Sequence, residues 1–520
     1  MDPVLSTVVI LAVAVVAFVS NRVPLGVVAI GVSLALFFTG VLTLPEALAG
    51  FGDPTVLFIA ALFVVSESLD ATGVTAWAGQ QLLGRTGTRR VPILLAISLL
   101  VSVMSAIVSV NGAVAALFPL TVIVAARAGM RSSQLLLPLA FVAHAGSLLT
   151  LTGTPVNIVV SEIAAESGGR PFGFFEFAIA GVPLVIGTVA IVLLFGGRLL
   201  PDRAGASMPL DLARHARMLR ERYAVSLDTG ALLGPSSGVT EVVVPPRSPL
   251  IGVSLSIGMA TPSGDLVLLA ARRGAQRIPE TDFVAQEGDT LLLRGAWDDL
   301  HRHTSDGRVL PVDAPARVRR SVPLGRGARR SLVILAAMIV LLATGVVPPT
   351  VAALLAACAL VLTRVLTPEQ TYRSISWTTI VLIAGMIPLA TAVLRTGTAD
   401  LVAHGLLAVV GDAGPYAVLL IVCVITVILG QFISNVATVL VVAPVAVALA
   451  ASMGVSVQPF MMALAVAGAA SFLTPIATPA NMIVMEPAGY RFGDYWRLGL
   501  PLALLFLVVA VLYVPLVWRF

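Results

Sequence analysis

Apolar runs long enough to cross a lipid bilayer recur along the whole chain, and they restrict it to membrane folds. A membrane-spanning helix needs about 20 mainly apolar residues. Such runs predict spans near 4–21, 23–42, 54–73, 135–163, 177–200, 331–346, 350–366, 377–396, 457–485 and 497–518. Only 11% of the 520 residues are charged, against roughly 25% in soluble domains. A soluble globular protein, a disordered chain and a disulfide scaffold are therefore excluded.

Two further apolar runs, 92–126 and 415–452, are too long for one span and are broken in the middle. The breaks read SVNG from Ser109 to Gly112 and QFISN from Gln431 to Asn435. An apolar run broken at its midpoint predicts a re-entrant helical hairpin or two tilted half-helices. The spans 135–163 and 457–485 also contain polar, proline-bearing stretches, so each is predicted to be a broken helix.

A stretch of different composition, 201–330, separates the two membrane halves 1–200 and 331–520. Counted from Arg198, it carries 19 of the 32 basic residues. Short apolar runs bounded by glycine and proline predict strands in it, such as DLVLLAA from Asp265 and GDTLLLR from Gly288. We therefore predict an α-helical polytopic membrane protein with an inserted soluble α+β domain.

The arginines also predict the orientation in the cell (inner or plasma) membrane. Basic residues gather on the cytoplasmic side of membrane proteins, which places 201–330 in the cytoplasm and both termini outside. The net charge of +5 and the pI of about 9.7 then reflect arginines that face anionic lipid. The lipid bilayer is thus an expected partner, and nucleic acid is not.

The two membrane halves repeat each other at a constant shift, which equals the separation of Asn111 and Asn435 along the chain. Polar residues hold this register: Asn111 pairs with Asn435, Ser147 with Ser471, Thr150 with Thr474, Thr154 with Thr478, Pro155 with Pro479 and Asn157 with Asn481. Because the predicted orientation makes matched segments run in opposite directions, this is interpreted as an inverted repeat. Inverted repeats are typical of secondary transporters, whose site lies at the repeat interface near the membrane midplane.

Each half contains a hairpin tip and a broken helix whose polar groups suit ion binding. Proline disrupts the helical ladder, and carbonyls freed inside a membrane need a partner. Carbonyl, hydroxyl and amide oxygens suit a hard cation such as sodium, whereas half-helix N-termini suit an anionic substrate. The candidate substrate- and cation-binding residues are Asn111, Gly112, Ala113, Ser147, Thr150, Gly153, Thr154, Pro155, Asn157, Ser434, Asn435, Val436, Thr438, Ser471, Thr474, Ala477, Thr478, Pro479 and Asn481. Sodium is placed at the Asn111 and Asn435 sites, and no other cofactor is expected.

Several of these residues also allow structural interpretations. Proline and small polar residues can simply kink and pack helices. Glu67 and Asp70 are candidates for proton coupling, because intramembrane acids are often functional, or they are interfacial carboxylates paired with arginine. His144 is either a satisfied structural histidine or a proton shuttle. The sequence has no cluster with metal-ligand spacing and no nucleophile–base pair, so an enzyme is not expected.

The stretch from Thr474 to Pro501 (TPIATPANMIVMEPAGYRFGDYWRLGLP) resembles the divalent anion/sodium symporter family, solute-carrier family 13. Its wider ion-transporter superfamily also holds sodium/proton antiporters, citrate carriers and arsenite permeases. The family's hairpin tips carry Ser-Asn-Thr, where this chain has Ser434-Asn435-Val436 and Val110-Asn111-Gly112. The resemblance implies a homodimer that works by an elevator mechanism, in which hairpins and broken helices slide against a scaffold.

Residues 240–303 resemble a TrkA C-terminal (RCK-C) domain, with EVVVPPRSPLIGVSL, LVLLAARRGAQRIP and EGDTLLLRGAWDDL as the matching stretches. The resemblance implies a regulatory module, and some domains of this kind bind a small regulatory ligand. No GxGxxG follows a strand, so no NAD site is inferred.

The expected function is secondary active transport, with sodium-coupled symport of a small anion such as sulfate or a dicarboxylate. The alternative within the same superfamily is a sodium/proton antiporter or a metalloid or anion efflux permease. A potassium channel is disfavoured, because no TVGYG-like filter is present.

Overall fold

The computed structural model describes residues 2–20, 22–83, 89–201, 203, 237–261, 265–274, 276–278, 282–305, 308–313, 327–398, 401, 405 and 414–520. Within these ranges, eight helices are long and apolar enough to cross a membrane: Pro3–Ser20, Leu44–Ala71, Arg90–Ile107, Ser132–Leu149, Ala178–Leu199, Trp377–Arg395, Asn435–Ser452 and Phe492–Val517. The predicted class, an α-helical polytopic membrane protein, is confirmed.

The first half consists of helices separated by short connections. They are α1 (Pro3–Ser20), α2 (Leu25–Phe38), α3 (Leu44–Leu48), α4 (Pro54–Ala71), α5 (Val74–Leu83), α6 (Arg90–Ile107), α7 (Val110–Arg127), α8 (Leu136–Gly146), α9 (Pro155–Glu166) and α10 (Ala178–Leu199). The predicted hairpin 92–126 corresponds to α6 and α7. The predicted broken helix 135–163 corresponds to α8 and α9, with two short 3₁₀ turns between them.

The insert contains the predicted strands. They are β1 (Ser237–Val243), β2 (Ser254–Leu255), β3 (Leu266–Arg273), β4 (Gln276–Arg277), β5 (Phe283–Val284), β6 (Asp289–Ala296) and β7 (Leu310–Pro311), with helix α11 (Trp297–Ser305) after β6. Antiparallel pairing gives one sheet of order β4-β3-β6-β1-β7 and a second of β2 and β5. Trp297 packs so closely on β1 that a Cβ at Gly238 would lie 2.1 Å from its ring. The insert therefore has its own α+β core.

The second half repeats the first. Its helices are α12 (Ala328–Thr344), α13 (Pro349–Leu362), α14 (Pro368–Ser374), α15 (Trp377–Arg395), α16 (Gly414–Leu429), α17 (Asn435–Ser452), α18 (Gln458–Gly468), α19 (Pro479–Ala488) and α20 (Tyr495–Val508). From α12 to α19, each begins at or close to the position that the repeat shift gives for its counterpart among α1–α4 and α6–α9. The structural repeat therefore starts at the first helix, well before the polar register that the sequence revealed.

The described chain forms two compact units, one of Met1–Glu67, Leu82–Met208 and Leu332–Phe520 and the other of Ser68–Gln81 and Pro209–Ser331. Within the first unit, the two repeats interlock. Helix α2 packs on α15, where the Ser33 hydroxyl donates a hydrogen bond of 2.9 Å to the Gly385 carbonyl. A Cβ at Gly385 would lie 2.7 Å from the backbone of Ala29, so the two helices touch through their backbones.

Candidate ion and substrate site at the helix breaks

The first break, residues 147–157, is folded around the side chain of Asn157. Its Nδ2 donates hydrogen bonds to the backbone oxygens of Ser147, at 3.0 Å, and Thr150, at 2.8 Å. Carbonyls at the end of a helix lack the donor that the next turn normally provides, and the Asn157 amide supplies one. Three of the predicted site residues are thus brought together by a single buried amide.

The second break, residues 471–481, is built in the same way. The Asn481 Nδ2 donates to the backbone oxygens of Ser471, at 2.8 Å, and Thr474, at 3.1 Å. The repeat shift pairs these three residues with the three of the first break. Two different sequences, SLLTLTGTPVN and SFLTPIATPAN, therefore fold into one amide-clamped turn.

The other end of each clamping amide is left without a partner. Asn157 and Asn481 are fully buried, yet their Oδ1 atoms have no hydrogen-bond partner among the described residues. An unsatisfied buried acceptor costs about 1–3 kcal/mol. Side-chain amide and backbone oxygens are usual ligands of hard cations. Each break therefore presents a buried oxygen that a bound cation would satisfy.

Each break ends in a capped helix N-terminus. Thr154 and Thr478 are the N-caps of α9 and α19, and their hydroxyl oxygens accept hydrogen bonds of 3.4 Å from first-turn N–H groups. Pro155 and Pro479 occupy the first helical position, where the missing N–H is not needed. Because a helix N-terminus carries partial positive charge, both half-helices suit the approach of an anion.

Each hairpin tip is capped by a serine. The Ser434 hydroxyl accepts a hydrogen bond from the Ala437 N–H at 3.3 Å, and the Ser109 hydroxyl accepts one from the Gly112 N–H at 3.2 Å. The repeat shift places Val110 opposite Ser434, which suggested that the first tip lacked a serine. The structure shows that Ser109, one residue earlier, provides the same cap. The repeat shift alone did not reveal this serine.

The tip asparagines are held in different ways. Asn111 Oδ1 accepts a hydrogen bond from the backbone N–H of Ala480 at 3.1 Å, so the first tip reaches the second repeat. Asn435 Oδ1 instead accepts from the Ser471 hydroxyl at 2.5 Å, within its own repeat. The packing of the helices is nevertheless symmetric, because α7 packs on α19 and α17 packs on α9. The two tip asparagines, where sodium is predicted, therefore lie on helices that pack on the opposite repeat, and their hydrogen bonds are unequal.

Gln431 connects the second hairpin to the second break, and it was not among the predicted site residues. Its Oε1 accepts a hydrogen bond from the Leu473 N–H at 2.8 Å, and its backbone oxygen accepts one from the Thr474 hydroxyl at 2.8 Å. In the first repeat, the Thr150 hydroxyl donates to the carbonyl of Ala106. Each break is thus tied to the end of the first hairpin helix of its own repeat.

Six predicted residues shape the backbone of the site. They are Gly112, Ala113, Gly153, Val436, Thr438 and Ala477. A Cβ at Gly153 would lie 2.2 Å from the Ser147 carbonyl oxygen, so the first break closes only around glycine. The alanines and the valine are buried, and the Thr438 hydroxyl donates to the Ser434 carbonyl at 3.1 Å. These six residues provide close packing around the groups that are predicted to bind the ion and the substrate.

A small cleft opens beside the first tip and the first break. It is lined by Ile59, Leu62, Phe63, Val108, Ser109, Thr152, Pro155 and Ile158. Thr152 and Ser109 supply its hydroxyl groups, and neither was a predicted site residue, because each lies beside the motif rather than in it. Glu67, half-buried, follows Phe63 by about one helical turn of α4; Asp70 lies further along the same helix.

Comparison with known proteins identifies the family. Residues 15–467 and 407–520 match the family described as citrate transporter (CitMHS). The chain belongs to the citrate transporter family. Among its relatives, this family member is 31% identical to "Uncharacterized transporter YfbS" of Escherichia coli, over 98% of both chains. It is 24% identical to "Sodium/sulfate cotransporter 1" of Chlamydomonas reinhardtii, over 52% of this chain and 32% of that protein.

The fold of this citrate transporter family member is also found in a solved structure. The YdaH transporter of Alcanivorax borkumensis superposes with a TM-score of 0.51, at 14% identity, over 99% of this chain and 98% of the other. The family match confirms the resemblance at the level of the ion-transporter superfamily, with citrate transporters as the family. The match of 240–303 to RCK-C domains stays a prediction, and the family and these relatives are transporters rather than enzymes.

Proposed function

We propose that this membrane transporter is a secondary active symporter that couples sodium to the uptake of a small anion. The observation that carries the proposal is the repeated amide clamp, which leaves the Oδ1 atoms of Asn157 and Asn481 buried and unpartnered among the described residues. Each Oδ1 atom lies in a broken helix. The backbone carbonyl oxygens of that helix, like the amide oxygen, suit a hard cation such as sodium. Sodium at each break would satisfy these oxygens, with the tip residues Asn111 and Asn435 completing the two sites.

Charge balance supports coupling to a cation. None of the predicted tip and break residues is lysine or arginine, so no basic side chain among them neutralises an anion. Burying an unpaired charge is costly, and a helix N-terminus contributes only about half an elementary charge. Bound sodium ions would supply the remaining positive charge. An anion would then bind well only when sodium is present, which is the basis of symport.

The substrate class is narrowed by the named relatives. The family is described as citrate transporter, and one relative is named a sodium/sulfate cotransporter. Sulfate, dicarboxylates and citrate share small size and multiple negative charge. We propose sulfate or a dicarboxylate as substrate, because the site offers hydroxyls and helix N-termini, which suit compact oxyanions.

The cross-repeat contacts fit an elevator mechanism. Each second hairpin helix packs on the second half of the other repeat's broken helix, and Asn111 bonds to Ala480 across the repeats. Hairpins and broken helices would then move as one body, carrying the site against the remaining helices of a homodimer. A cross-link between α7 and α19, placed away from Asn111 and the helix breaks, should leave transport intact, because the two helices move together; lost transport would contradict this.

The insert is proposed to be a cytoplasmic, RCK-C-like regulatory domain, with both termini outside. Coupling of a regulatory ligand to transport is typically about 1–3 kcal/mol. Replacing 205–322 by a short linker should change the uptake rate or its response to ligands. An unaltered rate and response would leave the domain a structural role only.

A second candidate function is antiport or efflux, favoured by one feature. Glu67 is half-buried, about one helical turn from Phe63 in the cleft wall. In an antiporter, Glu67→Gln and Asp70→Asn would both be inactive. In the proposed symporter, both variants should retain sodium-driven uptake.

The deciding experiment is uptake of labelled sulfate, succinate and citrate into proteoliposomes, with and without an inward sodium gradient. Sodium-driven uptake of one anion would support the symporter and name its substrate. The double variant Asn157→Leu/Asn481→Leu, which lacks both clamping amides, is the matched control and should show no sodium-driven uptake. Absence of uptake of all three by folded protein would contradict the proposal and favour efflux, to be tested as dissipation of a pH gradient by sodium.

A further inference from the structure

One buried histidine connects the two repeats at the second break. His144 lies in the last turn of α8 and is 2% exposed. Its Nε2 lies 3.2 Å from the hydroxyl oxygen of Thr478, and the two share a hydrogen bond. Thr478 is the N-cap of α19 and belongs to the opposite repeat. A side chain of the first repeat thus contacts the ligand-bearing turn of the second.

The orientation of the imidazole ring is fixed by its neighbours. The ring of Phe472 meets it edge to face, with centroids 5.8 Å apart and planes at 86°. Phe472 is itself part of the second break. Edge-to-face packing restricts ring rotation, so the ring directs Nε2 at the Thr478 hydroxyl.

The first break has no histidine at the equivalent position of the opposite repeat. The repeat shift places Gly468 opposite His144, and a Cβ at Gly468 would lie 2.9 Å from the Val439 side chain. The position opposite Val439 is Ala115. The residue that would crowd a side chain at Gly468 thus corresponds to a smaller one in the first repeat, where the position of Gly468 carries an imidazole. The two breaks are alike in their clamps, and the histidine beside the N-cap of the second is one polar group by which they differ.

We propose that His144 is a positioning residue that fixes Thr478, so that sodium binding at the second break depends on it and binding at the first break does not. The inference rests on the proposed sodium symport. Thr478 caps the same turn that Asn481 closes, and its hydroxyl also accepts the Asn481 N–H. Loss of the His144 contact would free the Thr478 side chain to rotate, which would weaken the ordered ligand set around Asn481 Oδ1.

The test is a double-mutant cycle on the sodium concentration for half-maximal uptake. Because one hydrogen bond is worth about 0.5–1.5 kcal/mol, His144→Ala should raise this concentration about threefold to tenfold. Thr478→Val should raise it similarly, and the double variant should be no worse than either single variant. Thr154→Val, the repeat counterpart without a histidine, is the matched control, and its effect should multiply with that of His144→Ala.

Replacing His144 by a polar or an apolar side chain distinguishes a positioning role of this residue from a packing role. His144→Gln keeps a polar group at about the distance of Nε2 from the backbone, where it can bond to the Thr478 hydroxyl. It should therefore restore most of the sodium affinity, whereas His144→Leu should not. Folding of each variant is checked by size-exclusion chromatography. Unchanged half-maximal sodium in folded His144→Ala, or effects that multiply with Thr478→Val as they do with Thr154→Val, would overturn the inference alone. A wild-type protein that does not respond to sodium would overturn both this inference and the proposed function.

Discussion

Asn111 Oδ1 accepts a hydrogen bond from the backbone N–H of Ala480 at 3.1 Å, although the two residues belong to different repeats. The bond joins the first hairpin tip to the first turn of a half-helix in the other repeat. A first-turn N–H has no partner inside its own helix, so the tip completes the helix of the opposite repeat. This contact at the first tip therefore forms only when both halves are folded.

This bond predicts different effects for two substitutions of Asn111. Asn111→Ala removes the acceptor and should lower sodium-driven uptake strongly, with a loss of about 1 kcal/mol in the free energy of unfolding. Asn111→Asp keeps an acceptor for the Ala480 N–H and adds a negative charge near a helix N-terminus. We expect normal thermal unfolding for Asn111→Asp, with altered sodium affinity. Equal loss of stability in both variants would contradict this account of the bond.

Substitution of Asn435 tests whether the second hairpin tip belongs to the transport site. Its Oδ1 accepts from the Ser471 hydroxyl of the second break, so Asn435→Ala should abolish uptake while folding and surface expression stay intact. Ser452→Ala, at the exposed far end of α17, is the matched control and should transport normally. Uptake like that of wild type in Asn435→Ala would exclude this tip from the site.

The clamping amides predict a loss of stability. Asn157→Leu leaves the Ser147 and Thr150 carbonyls without the Nδ2 donor, at about 1–3 kcal/mol for each group left unpaired. Thermal unfolding of purified protein in detergent should therefore occur at a lower temperature. Asn481→Leu should act alike, because the repeat provides the same bonds. An unchanged unfolding temperature in both would show that the amides do not hold the breaks.

Gly153 predicts a steric effect at the first break. A Cβ at this position would lie 2.2 Å from the Ser147 carbonyl oxygen, so Gly153→Ala must open the turn or displace backbone. We expect lower thermal stability and lost uptake. Gly31→Ala in α2 is the control, because its Cβ would meet no atom within 4 Å and alanine favours helix. A Gly153→Ala protein as active as Gly31→Ala would show that the turn tolerates opening.

The breaks could be predicted from the sequence because their causes are local. Pro155 and Pro479 suit the first position of a new helix, and a polar stretch inside an apolar run marks the same place. The strands of the insert were also predictable, since short apolar runs bounded by glycine and proline depend on neighbouring residues only. In both cases the deciding information lies in a short window along the chain.

The remaining features depend on contacts between distant segments. The repeat shift aligns Asn111 with Asn435, but one bonds across the repeats and the other within its repeat. No local pattern distinguishes these partners. Ser109 was missed because it caps the tip one position out of register. The early part of the repeat was missed for another reason: α1 and α12 share apolar character, and apolar identities carry little information.

The insert provides a prediction on pH. Burial raises the pKa of the Asp289 carboxyl, but the Arg273 hydrogen bonds, the Gln286 N–H and the Arg273 charge together outweigh burial and leave the pKa below its ordinary value. Arg273 Nε and Nη2 each donate at 2.8 Å to one carboxylate oxygen. The ionised carboxylate therefore stabilises the folded insert above the unfolded-state pKa. That stabilisation is lost as pH falls through the folded-state pKa.

Hydrogen exchange of the β6 amides in the full-length protein measures this effect. After correction for intrinsic exchange, protection should stay constant above the ordinary aspartate range and fall as the pH drops below it. Asp289→Asn is the matched control, because it cannot ionise and should reduce protection near neutral pH while removing most of the acid dependence. If the variant and the wild type lose protection along the same pH curve, another group controls the acid response. If the protection of the wild-type β6 amides does not change at low pH, the ion pair between Arg273 and Asp289 contributes no stability, because protonation of Asp289 would then cost nothing.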